Sequence, residues 1–304
     1  MPNSKDNLEL GQFIPLHYHF NMLNDTNRLR GFAAAIERVV GTGSQVLELG
    51  GGTGVLSFLA AQRGAHVRCV ERNPELVHAA RTTLSLNDAA SQVEVIQADA
   101  EHYLPPEPVD VVICEMLHTG LLREKQLPVI DGFKRRYLDR FGGPLPVFVP
   151  EACIQAIEPV AQDFEFQGYV APVPVFQEPT IEQTRTTALS EPVVFQRFSY
   201  ADDFSPVCSW NDEVAIERTG HLNAVRMITK HVLAIVLDEQ RTIDWYTQHI
   251  VLPLPEPIQV CAGDQVAVRF AYHAGAPLND LVNSLNVRSC SADTAIAAKL
   301  PIAA

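Results

Sequence analysis

The sequence predicts an α/β domain with a parallel, doubly wound sheet, followed by a mostly antiparallel, barrel-like β domain. Between residues 41 and 150, short apolar runs alternate with helical periodicity, which is typical of a parallel sheet covered by helices. After Pro150, short β-branched and aromatic runs are separated by Pro, Gly and Asp. The predicted divisions are therefore a helical segment at 1–40, the α/β domain at 41–150 and the β domain at 151–304.

The elements of the α/β domain follow from hydrophobic spacing. Apolar residues three and four positions apart predict a helix over about 20–40, and Gly41 and Gly43 end it. Pro74 falls in the first turn of the helix that is predicted at 74–87. The remaining helices are predicted at 53–63, 74–87 and 126–140, and the strands at 45–49, 65–71, 92–97, 109–115 and 146–149.

The β domain is predicted from short apolar runs, which include 193–198, 232–237, 249–254 and 265–272. Residues 171–192 are rich in Pro, Thr, Gln and Glu and predict an extended arm or loop, so that a short arm is expected near 160–192. The small, polar tail after Ser289 is expected to lack order.

Composition excludes several classes of protein. A chain of 304 residues with 47% hydrophobic and 19% charged residues is typical of a globular protein with a core. No apolar run is long enough to span a bilayer, and the first residues lack the pattern of a signal peptide. The six cysteines form no C-x-x-C pair, which disfavours zinc and disulfides. We therefore expect a cytoplasmic protein without a metal site.

The net charge of −13 bears on the choice of partner. An acidic protein repels polyphosphates, so nucleic acid is disfavoured, whereas a cationic substrate would be attracted. Acidity alone is equally compatible with a role in solubility.

A glycine-rich turn follows the first strand. Gly50, Gly52 and Gly54 stand between an apolar strand and a helix, where the backbone must turn sharply and approach a ligand closely. Val55 occupies the position of the third glycine in a dehydrogenase fingerprint. With Glu48, the pattern is [DE]-x-G-x-G-x-G, the first motif of class I methyltransferases, which predicts S-adenosylmethionine as the cofactor.

Acidic residues end the next two strands. Glu71 lies about twenty residues past the glycine turn, where a carboxylate can accept hydrogen bonds from both ribose hydroxyls. NAD enzymes use the same device, so Glu71 predicts an adenosine ribose without naming the cofactor. Asp99, followed by Ala100, stands where this fold contacts the adenine amine, and Glu101 is a rival for that role.

A second pair of carboxylates follows the fourth strand. Glu115 ends the strand and Glu124 comes nine residues later, across a loop that contains His118. Two converging carboxylates suit acid–base chemistry or the binding of a planar cation. On its own, Glu124 between Arg123 and Lys125 is typical of a solvated surface.

These motifs together resemble the protein arginine methyltransferases. Their double-E loop has the same nine-residue separation, and their first helix carries a similar His…Met-Leu-x-Asp-x-x-Arg, found here at residues 19–28. The resemblance covers about residues 17–150 well and the β domain only in outline. It implies that residues 1–40 form a lid over the cofactor and that the β domain serves the substrate and dimerisation.

The resemblance also implies roles for individual side chains. Arg28, with His19 and Met22 beside it, would bind the cofactor carboxylate, and Glu48 would fix the amino-acid end. Glu115 and Glu124 would clamp a substrate guanidinium by charge-assisted hydrogen bonds.

Finer features of the resemblance concern the substrate. The double-E loop is most similar to the monomethylating (type III) branch. His118 could line the pocket or act as a base. Where the family has Thr-His-Trp, this chain has Ile243-Asp244-Trp245, so Asp244 could supply a third carboxylate, and Trp245 is equally suited to the core.

The leading hypothesis is an arginine guanidino N-methyltransferase that acts on free L-arginine or a small guanidino compound, as a homodimer. The alternatives are a protein arginine methyltransferase, a non-catalytic relative that binds cofactor or a partner, and methyl transfer to another amine or to oxygen.

Overall fold

The structure is a computed structural model that describes residues 14–290. Expectations for residues 1–13 and for the polar tail beyond residue 290 lie outside the described residues. Among the described residues, no helix is long and apolar enough to cross a bilayer.

The first sheet has five parallel strands, as the sequence predicts, and their order is β3-β2-β1-β4-β5. The strand order reverses between β1 and β4, which makes a crevice at their carboxyl ends, where ligands bind in folds of this type. The strands are β1 (Gln45–Leu49), β2 (His66–Glu71), β3 (Val93–Gln97), β4 (Val111–Cys114) and β5 (Val147–Val149).

The helix predicted over 20–40 is wrong as a single element. The chain forms α1 (Leu16–Asn21), a short 3₁₀ turn (Met22–Asn24) and then α2 (Thr26–Val39). The break occurs because the side chain of Asp25 accepts a hydrogen bond from the Arg28 N–H (2.9 Å) and so caps a new helix.

The remaining helices of this half begin where the sequence supplies a cap or a turn. Asn73 accepts a hydrogen bond from the Glu75 N–H, and proline opens the same helix, which therefore starts one residue after its cap. These helices are α3 (Val55–Gln62), α4 (Pro74–Leu84) and α5 (Gln126–Phe141).

The second half is antiparallel, so the predicted fold class is confirmed: a Rossmann-like domain with an N-terminal helical segment and a mostly antiparallel, barrel-like β domain. A seven-stranded sheet has the path β10-β6-β13-β15-β9, with β11 paired to β6 and β14 to β13. Its strands are β6 (Ala152–Gln162), β9 (Val175–Gln177), β10 (Thr186–Ala188), β11 (Val193–Ser199), β13 (Gly220–Val236), β14 (Arg241–Tyr246) and β15 (His249–Val260).

A smaller sheet and a hairpin complete the fold. The three-stranded sheet has the order β12-β16-β17, and β7 pairs with β8. The sequence did not predict the short helix α6, and two strands of the stretch predicted as an arm, β9 and β10, join the large sheet. These elements are β7 (Glu165–Phe166), β8 (Tyr169–Val170), β12 (Val207–Ala215), β16 (Gln265–His273), α6 (Leu278–Ser284) and β17 (Asn286–Ser289). The three domain boundaries stay predictions.

Helix α2 rests on the β domain. Phe32 is fully buried, and its ring centroid lies 6.2 Å from that of Trp245 on β14. A Cβ at Gly31 would lie 2.9 Å from Leu233 Cδ1, so glycine permits this close approach. The packing fixes the helix that carries Arg28.

Candidate active site

A cleft lies at the carboxyl ends of the parallel strands. Every residue predicted to bind the cofactor lines it except Gly54, and both predicted glutamates line it as well. The structure therefore brings together motifs that are separated by up to about a hundred positions in the chain.

The glycine turn forms one wall of the cleft. Gly50, Gly52 and Gly54 have φ values of +78°, +53° and +79°, which L side chains rarely adopt. A Cβ at Gly50 would lie 3.0 Å from Met116 Cγ, and one at Gly52 would lie 3.3 Å from His19 Nδ1. Glycine is thus required by both backbone conformation and space. Gly54 is the N-cap residue of helix α3 and does not line the cleft.

Glu48 holds helix α3 to the turn. One of its carboxylate oxygens accepts hydrogen bonds from the Ser57 N–H (2.9 Å) and the Ser57 hydroxyl. Burial raises the pKa of Glu48 to about 7, although the hydrogen bonds from Ser57 and the charge of Arg28 act against this rise. The sequence did not indicate the contribution of Ser57.

Glu71 is tied to the turn from the next strand. One oxygen accepts a hydrogen bond from the Gly52 N–H (2.9 Å), and the other accepts one from the Asn73 N–H (2.7 Å). A carboxylate has about four lone-pair positions, so these two bonds leave acceptor capacity toward the cleft. Burial lowers the pKa of the neighbouring His19, and the charge of Glu71 partly opposes that effect.

The far end of the cleft carries two acidic side chains in ion pairs. Asp99 lies 3.5 Å from a guanidinium nitrogen of Arg72, and Glu101 lies 3.1 Å from Lys125 Nζ. Asp99 also accepts a hydrogen bond from the Glu101 N–H (3.0 Å). Both carboxylates line the cleft, so the two candidates for the adenine contact are neighbours.

Arg28 forms a buried ion pair with Glu115. A terminal guanidinium nitrogen of Arg28 contacts a carboxylate oxygen of Glu115, and both side chains are about one-tenth exposed. The Nε atom of Arg28 is buried without an acceptor among the described residues. The two side chains are 87 positions apart, and no sequence pattern predicts that they meet.

Glu124 lines the same cleft as Glu115, and its side chain forms no hydrogen bond or ion pair with the residues that the structure describes. Burial raises the pKa of Glu124 to about 8, and the negative charge of Glu115 adds to the rise. Arg123 and Arg28 act in the opposite direction. A buried carboxylate with a raised pKa in a cleft is a frequent mark of a functional site.

Three residues predicted near the substrate lie outside the lining of the cleft. Asp244 pairs with Lys230 Nζ (2.7 Å), and Trp245 stacks on the buried ring of His231 at 5.5 Å. The ring of His118 packs edge-on against Phe176, with centroids 5.9 Å apart, and burial lowers its pKa. Their substrate roles stay predictions.

Sequence reasoning gave no role to three cations that do line the cleft, Arg72, Arg123 and Lys125. Arg123 and Lys125 flank Glu124, so their position beside a predicted site residue was an available signal. Arg123 is exposed, and its backbone has a left-handed φ of +64°.

Comparison with known proteins agrees with this geometry. The family described as "Methyltransferase domain" matches residues 46–136, which contain the glycine turn and the strands that meet at the cleft. Residues 46–136 therefore resemble a methyltransferase domain. This match supports the predicted cofactor, S-adenosylmethionine.

Relatives of this chain fall into two groups. An uncharacterized protein of Methanothermobacter thermautotrophicus is 29% identical over 88% of this chain and 97% of its own length. The "Arginine N(omega)-methyltransferase" of Streptomyces achromogenes subsp. streptozoticus is 35% identical over 42% of this chain, which corresponds to 37% of that enzyme.

The fold of this chain is similar to that of solved protein arginine methyltransferases. The Trypanosoma brucei PRMT1 enzyme–prozyme heterotetrameric complex with AdoHcy has a chain that matches it with a TM-score of 0.70 at 17% identity, over 90% of this chain and 98% of that chain. At this identity the likeness concerns the fold.

The residues of the cleft fit S-adenosylmethionine. The buried, unsatisfied Nε of Arg28 is suited to a carboxylate, and Glu71 retains acceptors for hydroxyl groups. The glycine turn leaves space that a Cβ at Gly50 or Gly52 would fill.

Proposed function

We propose that the chain is an S-adenosylmethionine-dependent N-methyltransferase that acts on the guanidino group of arginine. The observation that carries this proposal is the position of Glu115 and Glu124 in one cleft with the glycine turn. Two carboxylates around a narrow space suit a planar cation that carries several N–H donors. The ion pair of Glu115 with the guanidinium of Arg28 supports the same preference.

The residues of the cleft divide into two sets. The cofactor would be held by Arg28 at its carboxylate, by Glu71 at its ribose and by the glycine turn along its length, with Asp99 or Glu101 at the adenine. When bound, it supplies a methyl group on a positively charged sulfur.

The glutamates would prepare the substrate nitrogen. Hydrogen bonds from the guanidinium to Glu115 and Glu124 orient one nitrogen toward the methyl group and hold positive charge on the other nitrogens. This alignment would supply much of the rate enhancement, because positioning alone can contribute several kcal/mol (about 7–11 in the best cases). The pKa of Glu124 is about 8 in the empty cleft, and the positive charge of a bound guanidinium would favour its ionised form, which can accept a proton.

Free L-arginine or a small guanidino compound is the substrate class we favour. Arg123 lines the cleft beside Glu124 and forms no side-chain hydrogen bond or ion pair with the described residues. A free amino acid has a carboxylate that this guanidinium can bind, whereas an arginine inside a peptide has none.

A panel of acceptors tests this assignment. Tritiated cofactor is incubated with L-arginine, agmatine (which lacks the carboxylate) and an Arg-Gly-rich peptide. We expect transfer to L-arginine above the others, and Arg123→Gln should raise KM for L-arginine at least several-fold without affecting agmatine. The exposed Arg218→Gln, outside the lining of the cleft, serves as the control. Transfer to the peptide alone would instead support a protein arginine methyltransferase.

Monomethylation and dimerisation are further parts of the proposal. The similarity of the double-E loop to the type III branch supports a single transfer, and mass spectrometry at full conversion should then detect no dimethylarginine. Exposed apolar side chains at Tyr169, Val170 and Ile181 support a homodimer contact on the short arm. Light scattering that gives the monomer mass at micromolar concentration would contradict it.

A cytoplasmic location also belongs to the proposal. Four cysteines, Cys69, Cys114, Cys153 and Cys208, are buried as thiols, which suits a reducing compartment.

A further inference from the structure

The loop between the two glutamates has an unusual backbone. Gly120, Leu121 and Arg123 all have left-handed φ values, of +68°, +54° and +64°. Leu121 and Arg123 are not glycines, so this conformation costs free energy and persists only where the surroundings hold it. The conformation of this loop therefore depends on its contacts with the rest of the protein.

Two buried side chains of the β domain hold the loop at its centre. The Gly120 N–H donates a hydrogen bond to Thr229 Oγ1 on β13 (2.7 Å). The Tyr272 hydroxyl on β16 donates to the Gly120 carbonyl oxygen (2.8 Å), and the side chain of Gln155 lies 3.1 Å from the same phenol oxygen. Thr229 is fully buried and Tyr272 is 3% exposed.

Backbone contacts with the β domain reinforce the same region. The Gly275 N–H donates to the Leu121 carbonyl oxygen (2.7 Å), and the Arg123 N–H donates to the Ala276 carbonyl oxygen (2.9 Å). The Thr119 hydroxyl also donates to the Gln248 carbonyl oxygen. At the start of the loop, the buried amide of Gln126 accepts from the Met116 N–H (2.9 Å).

We propose that Thr229 and Tyr272 are positioning residues, which clamp Gly120 and thereby set the relative placement of Glu115 and Glu124. Neither side chain lines the cleft, so both act through the loop backbone. The inference rests on the proposed arginine methyl transfer and adds that the β domain determines the geometry of the glutamate pair. Displacements of about 1 Å in such a pair can reduce the rate about 100-fold.

Hydroxyl deletions test the clamp by kinetics. Thr229→Val and Tyr272→Phe should each lower kcat for L-arginine about 10- to 100-fold. The affinity for S-adenosylhomocysteine should stay within about two-fold of wild type, because the glycine turn is untouched. Thr229→Ser, which retains the acceptor oxygen, should restore most of the rate.

Tyr137→Phe is the matched control. Tyr137 is also 3% exposed, and its hydroxyl bonds with the backbone of Val109 in the α/β domain (3.2 Å). Tyr137→Phe should lose about as much stability as Tyr272→Phe and retain the kcat of the wild type. Equal kcat losses in Tyr137→Phe and Tyr272→Phe, or no rescue by Thr229→Ser, would overturn the proposal.

Hydrogen–deuterium exchange separates failure of the clamp from failure of the proposed function. Amides in a peptide covering 116–124 should exchange at least several-fold faster in Thr229→Val and Tyr272→Phe than in wild type, and at the wild-type rate in Tyr137→Phe. Unchanged exchange in the first two variants would refute the clamp, whatever the wild-type enzyme methylates. If the two variants show the expected faster exchange but the wild-type protein methylates no guanidino compound, only the proposed function is refuted.

Discussion

At the scale of single residues, the Glu124 carboxylate suits a bound cation but, when ionised, lowers the stability of the folded state. Its pKa is raised from 4.5 to about 8, first by burial and then by the charge of Glu115. The folded protein therefore retains a proton that the unfolded chain releases above about pH 4.5. This contribution to stability is fully present below pH 4.5 and is lost as pH rises to about 8.

Glu124→Gln should remove this pH-dependent loss together with the activity. We expect the variant to gain stability relative to wild type progressively between pH 5 and pH 8, because glutamine carries no charge in the cleft. Urea unfolding at a series of pH values measures the difference. The exposed Glu107→Gln is the control. A stability difference that is constant with pH would contradict the raised pKa.

Arg28 shows the limit of sequence reasoning at this scale. Its motif predicts contact with a cofactor carboxylate, yet its terminal nitrogen contacts Glu115 in the structure. The spacing of residues within a motif predicts which side chains lie together on one element. An ion pair between residues 87 positions apart depends instead on how α2 packs against the sheet and on the path of the double-E loop.

At the scale of elements, the sequence predicts best where strands end. The parallel strands place Glu48, Gly50, Glu71 and Glu115 at one edge of the sheet, and their apolar runs make the order of elements readable. The positions of Asp244 and Trp245 were harder to predict from the sequence. They depend on the register in which β14 pairs with β13, and no sequence motif indicates that register.

Alanine substitutions at a glycine in the turn and at a glycine outside it can separate the effect of backbone strain from the effect of filling space in the cleft. Gly52→Ala and Gly43→Ala both put a side chain at a positive φ, and each should destabilise the fold by about 1 kcal/mol. Only the Cβ at Gly52 meets a neighbour, His19 Nδ1 at 3.3 Å, whereas nothing lies within 4 Å at Gly43.

Calorimetric titration with S-adenosylhomocysteine measures the consequence. We expect Gly52→Ala to weaken binding at least ten-fold and Gly43→Ala to leave it near the wild-type value. Equal affinities in the two variants would show that the turn does not contact the ligand.

At the scale of the whole molecule, the site depends on both halves of the chain. The parallel sheet supplies the crevice, while α2 packs on β14 and the double-E loop hydrogen-bonds to β13 and β16. The antiparallel character of the second half was predictable from its short β-branched runs. Its contribution to the site was not, because the contacts with Gly120 join residues more than a hundred positions apart.

Ligand binding should therefore stabilise the folded protein as a whole. At a concentration of about 100 Kd, S-adenosylhomocysteine should contribute about 2.7 kcal/mol and raise Tm by roughly 5 °C. Differential scanning calorimetry measures the shift, and Arg28→Ala should reduce it. An unchanged Tm of the wild-type protein at saturating ligand would contradict binding in the cleft.

The central claim is that Glu115 and Glu124 hold a guanidinium next to the cofactor. Liquid chromatography with tandem mass spectrometry of L-arginine incubated with S-adenosylmethionine tests it most directly. Wild type should yield arginine heavier by one methyl group, with the added mass on the guanidino fragment, and Glu124→Gln should yield none at the same cofactor occupancy. Wild-type protein that binds the cofactor but leaves L-arginine, agmatine and Arg-Gly peptides unmodified, or an undiminished product with Glu124→Gln, would contradict the account.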